Sequence, residues 1–159
     1  MAQVQKITPF LWFDTQAEEA ADFYVSIFPN SKVGTISRYG DAGPGPKGSV
    51  MVVDFEIEGQ RFLALNAGPT YKFTEAVSFM VHCETQEEVD RYWEKLSAGG
   101  ATQACGWLKD KYGLSWQITP NALMEMIADP DPQKSNRVMQ AMMQMIKIDI
   151  AKLRQAYAG

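Results

Sequence analysis

The chain has 159 residues, 46% of them hydrophobic and 21% charged, the composition of an ordinary globular protein long enough to bury a sizeable core. A formal net charge of -4 and a pI near 5.0 exclude an electrostatic grip on nucleic acid or anionic lipid, since both need a basic face; small molecules and other proteins remain as partners. Met1 to Lys6 show neither the basic nor the apolar segment of a secretory signal, no apolar run approaches the ~20 residues of a membrane helix, and Cys83 and Cys105 stand far apart, so reduced thiols in the cytoplasm are the expectation.

Ile7 to Phe13 is apolar and aromatic, which suits a buried strand. Thr15 and Glu18 then form a capping-box pattern ahead of a helix whose apolar residues Ala17, Ala20, Ala21, Phe23, Tyr24, Ile27 and Phe28 recur at helical spacing, with Pro29-Asn30 as its stop. Val33 to Tyr39 reads as a strand. Asp41 to Gly48 reads as a mobile loop; it lacks the following helix and the Lys-Ser/Thr ending of a phosphate-binding loop. Ser49 to Ile57 and Gln60 to Leu65 predict a hairpin across Glu58-Gly59.

The second half repeats this order. Val77 to Cys83 reads as a strand, and Thr85 with Glu88 makes another capping box before a helix carrying Val89, Tyr92, Trp93 and Leu96, closed by Gly99-Gly100. Strands follow at roughly Thr102 to Leu108 and Leu114 to Thr119. Asp14-Thr15-Gln16 and Glu84-Thr85-Gln86 occupy matching places, which points to an internal repeat. Beyond Pro120 the chain reads as helical: Asn121 is a candidate cap for Ala122 to Ala128, and Asp131-Pro132 opens a long segment. That segment places Met139, Met142, Ile146, Ile150, Leu153 and Tyr157 on one stripe, which either packs on its own domain or meets a second copy.

Three stretches, Ile7 to Tyr24 (ITPFLWFDTQAEEAADFY), Ala76 to Trp93 (AVSFMVHCETQEEVDRYW) and Cys105 to Pro120 (CGWLKDKYGLSWQITP), resemble the PhnB-like branch of the vicinal oxygen chelate, or glyoxalase/bleomycin-resistance, superfamily, a branch labelled 3-demethylubiquinone methyltransferase. The resemblance runs from about Lys6 to Tyr157. It implies an α+β fold of two tandem β-α-β-β modules forming a half-open cup around a small ligand, commonly in homodimers, with C-terminal helices added. On this reading module one covers 6–67, a linker 68–75, module two 76–120 and the helices 121–158.

Metal-dependent members of the superfamily take ligands from the first and last strand of each module. The resemblance places those positions at Thr8, at Leu63 or Ala64, at Ser78 and at Gln117. One neutral amide among hydroxyls and an alkyl group cannot hold a catalytic ion, so neither metal nor other cofactor is expected. The methyltransferase label fares no better, because the first strand-to-helix junction, Phe13-Asp14-Thr15-Gln16, has no glycine-rich turn for S-adenosylmethionine.

His82, the single histidine, is the natural general base, and strand alternation sets it on one face with Ser78 and Met80; its bland alternative is a structural histidine at a strand end. Trp12 matches His82 in the first module and offers either an aromatic wall or core packing. Cys105, before Gly106, is either a thiol open to ligand or a small buried hydrophobe. Asn66 and Phe73 flank a Gly-Pro linker that either closes over a ligand or simply crosses between modules. Ligand contacts are thus expected from Thr8, Trp12, Asn66, Phe73, Ser78, Cys105 and Gln117. Three functions compete: a metal-independent binder of a small metabolite with an acid-base step at His82, a non-catalytic dimeric binding module, and a metalloenzyme recruiting Asp54, Glu56 or Glu84 beside His82.

Overall fold

The computed structural model describes residues 5–159; the first four residues of the polar lead lie outside the described residues. Two compact units divide the chain, one ending at Lys72 and the other spanning Phe73–Gly159. Unit 1 contains β1 (Phe10–Phe13), α1 (Ala17–Ile27), β2 (Lys32–Arg38), β3 (Val50–Ile57) and β4 (Gln60–Asn66). Its sheet runs in the order β1-β4-β3-β2, with β1 parallel to β4 and the other pairs antiparallel. Unit 2 repeats the plan with β5 (Ser78–Cys83), α2 (Gln86–Ser97), β6 (Ala101–Thr102), β7 (Trp107–Lys109) and β8 (Ser115–Pro120), in the order β5-β8-β7-β6 with β5 parallel to β8. It then adds α3 (Asn121–Ile127), α4 (Pro132–Met143) and α5 (Ile150–Ala158). No described helix is long and apolar enough to cross a membrane.

Alternation builds the core of unit 1. Leu11 and Phe13 of β1, Val53, Phe55 and Ile57 of β3, and Phe62 and Ala64 of β4 are buried, as are Ala17, Ala20, Ala21, Tyr24 and Ile27 of α1. The alanines let helix and sheet approach closely, while Phe55 stacks on Tyr24 and Phe62 at ring separations of 6.2 and 5.4 Å. Full burial of such a ring contributes on the order of 2–3 kcal/mol. The predicted turn at Glu58-Gly59 forms with φ of 50° and 78°, the left-handed pair that matches strand twist in a two-residue hairpin.

Five local expectations change, the first being the buried strand over Ile7 to Phe13, which shortens to β1 with Ile7 and Phe10 exposed. The capping box at Thr15 and Glu18 is not made: α1 starts at Ala17, no side chain of the preceding Gln16 caps it, and the Ala17 N–H donates instead to Asn66 Oδ1 at 2.8 Å. A partner from the end of β4 replaces the local one. The second box does form, with the Glu88 N–H on Thr85 Oγ1 at 3.2 Å, although Glu88 reaches the N–H of Glu84, one residue before the cap. The strand expected over 102–108 is broken by a tight turn at Ala104–Gly106, where Cys105 (φ 61°) and Gly106 (φ 81°) are left-handed. Their N–H groups donate to the carbonyls of Met145 and Ile146 at 2.9 and 2.8 Å, so pairing with the C-terminal segment wins over the sheet ladder.

Asn121 lies inside the first turn of α3 rather than capping it. The long C-terminal stripe is likewise two helices: α4 ends at Met143, and Asp149 starts α5 by accepting the Lys152 N–H at 3.1 Å. Leu123, Met126, Val138, Ile148 and Leu153 form the buried cluster of this region, with Met142 and Tyr157 packed against it. Of the stripe, Met142, Leu153 and Tyr157 pack on this cluster and Ile150 is buried, whereas Ile146 is exposed.

Candidate functional site

In unit 2 the faces of the sheet separate cleanly. Phe79 meets Trp116 at 5.6 Å between rings, and Leu108, Trp116 and Ile118 are buried together with Val89, Tyr92 and Leu96 of α2. Period-two alternation therefore turns Ser78, Met80 and His82 of β5, Ser115, Gln117 and Thr119 of β8, and Trp107 and Lys109 of β7 to the opposite face. Register pairs Ser78 with Ser115, Met80 with Gln117 and His82 with Thr119. Gln117 Nε2 donates to Ser78 Oγ at 2.9 Å, so these two predicted residues are brought into direct contact. His82 is exposed at the far end of β5. Lys109 pairs with Glu75 and holds that carboxylate below its ordinary range.

The same face of unit 1 is mostly apolar. Phe10 pairs with Leu63 and Trp12 with Leu65, and Phe10 is 53% exposed. Trp12 is half-buried, packs edge-on against Tyr71 at 4.9 Å, and donates its Nε1–H to Gly68 O at 2.9 Å. Thr8 lies half-buried two residues ahead of β1. Asp54 forks onto Arg61, 3.0 Å from each oxygen to Nε and 2.8 Å from Oδ2 to the terminal nitrogen, and raises the guanidinium above its ordinary value. Glu56 lies 4.0 Å from Lys32.

Asn66 belongs to the other side. It pairs with Phe13, caps α1 through Oδ1, donates Nδ2 to Val50 O at 3.2 Å, and accepts the Tyr39 hydroxyl on its carbonyl. A cleft of about 400 Å³ opens beside it, lined by Asp14, Glu18, Tyr39 and Ser49 among others. Truncating Asn66 to alanine is expected to destabilise unit 1 by about 2 kcal/mol, one cap plus one hydrogen bond. A urea titration followed by circular dichroism measures this, and a loss below about 0.5 kcal/mol would refute the pinning role.

Cys105 is half-buried in its turn, and Phe73 is half-buried at the start of unit 2. Both cysteines are free thiols; burial pushes Cys83 up to about 12, which leaves it an inert hydrophobe. Sequence reasoning missed Asp110 and Ser115. Asp110 is 2% exposed and accepts three N–H groups, from Tyr112 and Leu114 at 2.8 and 3.1 Å and from Trp116 Nε1 at 2.9 Å. The string Asp110-Lys111-Tyr112-Gly113 was the available sign, a side-chain-stabilised turn.

The fold implies a metal, and the residues present do not fit one. The pairing of Phe10 with Leu63, equivalent to that of Met80 with Gln117, fixes the first module's last-strand position as Leu63; Ala64 is buried on the α1 side. The four positions are therefore two hydroxyls, an alkyl chain and an amide whose nitrogen already donates to Ser78. Among the described residues no three His, Cys, Asp or Glu side chains gather as a ligand set.

Two successive β-α-β-β-β units, each with its first and last strands parallel neighbours, define a glyoxalase/bleomycin-resistance-like fold. Within it the chain belongs to the PhnB-like family: residues 5–119 match the family model described as 3-demethylubiquinone-9 3-methyltransferase. The PhnB protein of Bacillus cereus is 43% identical over 73% of this chain and 99% of that one, with a TM-score of 0.67. Protein PA1353 of Pseudomonas aeruginosa (20% identity, 74% and 98% covered, TM-score 0.61) and the fosfomycin resistance protein FosX of Listeria monocytogenes (17%, 77% and 98%, 0.51) share the fold. None of the curated proteins matches the chain. The family match ends at Thr119, short of the Tyr157 expected, so α3 to α5 lie beyond it.

The family description implies S-adenosylmethionine. Both strand-to-helix junctions lack glycine, Thr85 Oγ1 is engaged by its own helix, and the sheets are not the alternating parallel kind that cradles a nucleotide. The residues do not fit that cofactor.

Proposed function

We propose that the chain is a metal-independent binder of a small metabolite, taking its ligand on the sheet face of unit 2 and moving a proton with His82. The supporting observation is the donor chemistry at the four superfamily positions. Thr8, Leu63, Ser78 and Gln117 offer neutral oxygens at most, whereas divalent ions are held by carboxylates, imidazoles or thiolates. With no Lewis acid, charge developing on a ligand oxygen is met by hydroxyl and amide donors, a role open to Ser78 and Gln117. His82 shares their face and is open to solvent, as a group exchanging protons with bulk water must be. The reading places the protein in the reducing cytoplasm, which its two free thiols favour, as a homodimer.

Elemental analysis of protein purified without chelator is expected to find no stoichiometric transition metal, and Mn²⁺, Ni²⁺ or Zn²⁺ is expected to leave the melting temperature unchanged. Restoring one carboxylate with Gln117→Glu is not expected to create a tight site, since Leu63 still supplies nothing. One tightly held ion per chain in the unaltered protein would overturn the reading. A metabolite screen by thermal shift, repeated on His82→Ala, tests the proton step: binding persists while any turnover disappears.

A further inference from the structure

We infer that the cleft of unit 1 between the start of α1 and the 41–48 loop binds a small organic cation, an ammonium group carried on a compact apolar body. The inference concerns a different unit from the sheet face of unit 2 and stands whether or not that face takes a ligand.

The cleft holds about 400 Å³, the size of a small-molecule site. Pro44, Pro46, Val50, Ala67 and Tyr39 give it apolar walls. Two contacts of Tyr39 fix its shape. Gly45 lies flush on the ring, so that a Cβ there would come within 2.2 Å of it, and the hydroxyl donates to Asn66 O. One side chain thus ties the loop to the end of β4, and the space beside them is built into the fold.

The hydrogen-bonding groups around the cleft decide what it takes. Its neutral donors are engaged: Ser49 donates its hydroxyl to Pro46 O, Asn66 donates Nδ2 to Val50 O, and the N–H groups of Ala67 and Gly68 go to the carbonyls of Phe13 and Asp14. The side chains of Asp14 and Glu18, by contrast, make no hydrogen bond or ion pair among the described residues, and Glu18 is half-buried. No described lysine or arginine lines the cleft. Arg38 and Lys47, the cations of the adjoining strand and loop, are engaged by Gly48 O and Asp41. An anion would meet two carboxylates and few donors, whereas an ammonium brings its own N–H groups to acceptors that lack them. A half-buried carboxylate without a counter-charge is costly, and a bound cation offsets that cost. A calcium-like ion fits less well, because it takes about six or more oxygens. The carbonyls of Asp14, Pro46 and Asn66 already accept hydrogen bonds.

Benzylamine, benzyl alcohol and benzoate share one ring and differ in charge, so they serve as probes of the full chain. In titrations followed by NMR, benzylamine is expected to shift the backbone amides of Glu18, Ala67 and Gly68 saturably, roughly ten-fold more tightly than benzyl alcohol. Benzoate should leave them unmoved. Glu18→Gln keeps the shape and removes the charge; it should weaken benzylamine roughly ten-fold, one charge-assisted hydrogen bond, and leave benzyl alcohol as it was. Glu19→Gln removes a charge from the same turn of α1 outside the cleft and should change benzylamine affinity by less than about two-fold. Equal affinity for benzylamine and benzyl alcohol, equal losses in the two variants, unchanged binding in Glu18→Gln, or no saturable shift at these amides would overturn the inference. So would calcium ions shifting the same amides at lower concentration than benzylamine, which would mark a metal site. Benzylamine acting instead at the Ser78 and Gln117 amides would count for the sheet face of unit 2 and against this cleft, so the two readings fail separately.

Discussion

Replacing Asp110 with alanine is expected to destabilise unit 2 by about 4 kcal/mol, because one buried carboxylate accepts three N–H groups and all three lose their acceptor together. Two of those donors are backbone groups of the turn between β7 and β8, and the third is the ring nitrogen of Trp116, itself 3% exposed. The turn is doubly closed, since the backbone of Asp110 also bonds to Leu114 and Gly113 at 2.9 Å each. What it fixes is register: Trp107 opposite Gln117, Leu108 opposite Trp116, Lys109 opposite Ser115. A slip of one residue would carry Ser115 and Gln117 to the helix side. Asp110→Asn keeps an oxygen for the two backbone donors and sets an NH₂ against Trp116 Nε1–H, so about half the loss is expected. Urea unfolding followed by tryptophan fluorescence measures both variants. A loss under about 1 kcal/mol for the alanine form would refute the turn's role.

Gly106→Ala is expected to follow, with a loss of about 3 kcal/mol from a left-handed backbone and a methyl group without room. An added Cβ would sit 2.9 Å from Ile148 Cγ1 and 3.0 Å from Ile118 O, and the carbonyl belongs to β8 and cannot swing aside. The consequence reaches the C-terminal helices, because the N–H groups of Cys105 and Gly106 are accepted by Met145 and Ile146. Gln86 supplies the second hold, donating to Ile148 O at 3.0 Å and accepting from the Ile150 N–H at 2.8 Å. Hydrogen exchange is the sensitive readout: in the variant the amides of residues 105, 106 and 150 should exchange faster, while those of β3 in unit 1 stay protected. Unchanged exchange at 105 and 106 would show that these bonds do not depend on the glycine.

The elements with local causes were legible in the sequence. The Thr85 cap, the Asp131 cap ahead of Pro132 and the Glu58-Gly59 turn each depend on residues within a few positions, and each forms. The failures have distant causes. The α1 cap is Asn66, 49 positions along the chain from Ala17, and no local pattern at Thr15 reveals it. The break at Cys105 is imposed by the carbonyls of Met145 and Ile146. The stripe from Met139 to Tyr157 reads as one helix because its apolar residues serve a common core although the chain between them is not helical; Asp149 was the visible stop-and-start signal. At the candidate site, the contact of Ser78 with Gln117 follows from counting strand positions, as His82 sharing their face does. Choosing between Leu63 and Ala64 required the pairing with Phe10. Ser115 carried no mark at all, because a serine beside a tryptophan looks the same whether its hydroxyl is wetted or buried.

The matching registers of β1 on β4 and of β5 on β8 have a consequence for how each outer face can change. Because alternate side chains serve opposite faces, a mutation at Leu63 or Gln117 can retune what the open face favours while the residues that grip α1 or α2 stay as they were. Each copy can thus change the chemistry of its outer face on a shared frame. One is apolar around Phe10, Trp12 and Leu63, and the other is hydrogen-bonding around Ser78 and Gln117. The repeated plan thus supplies two independently adjustable halves rather than two equal ones.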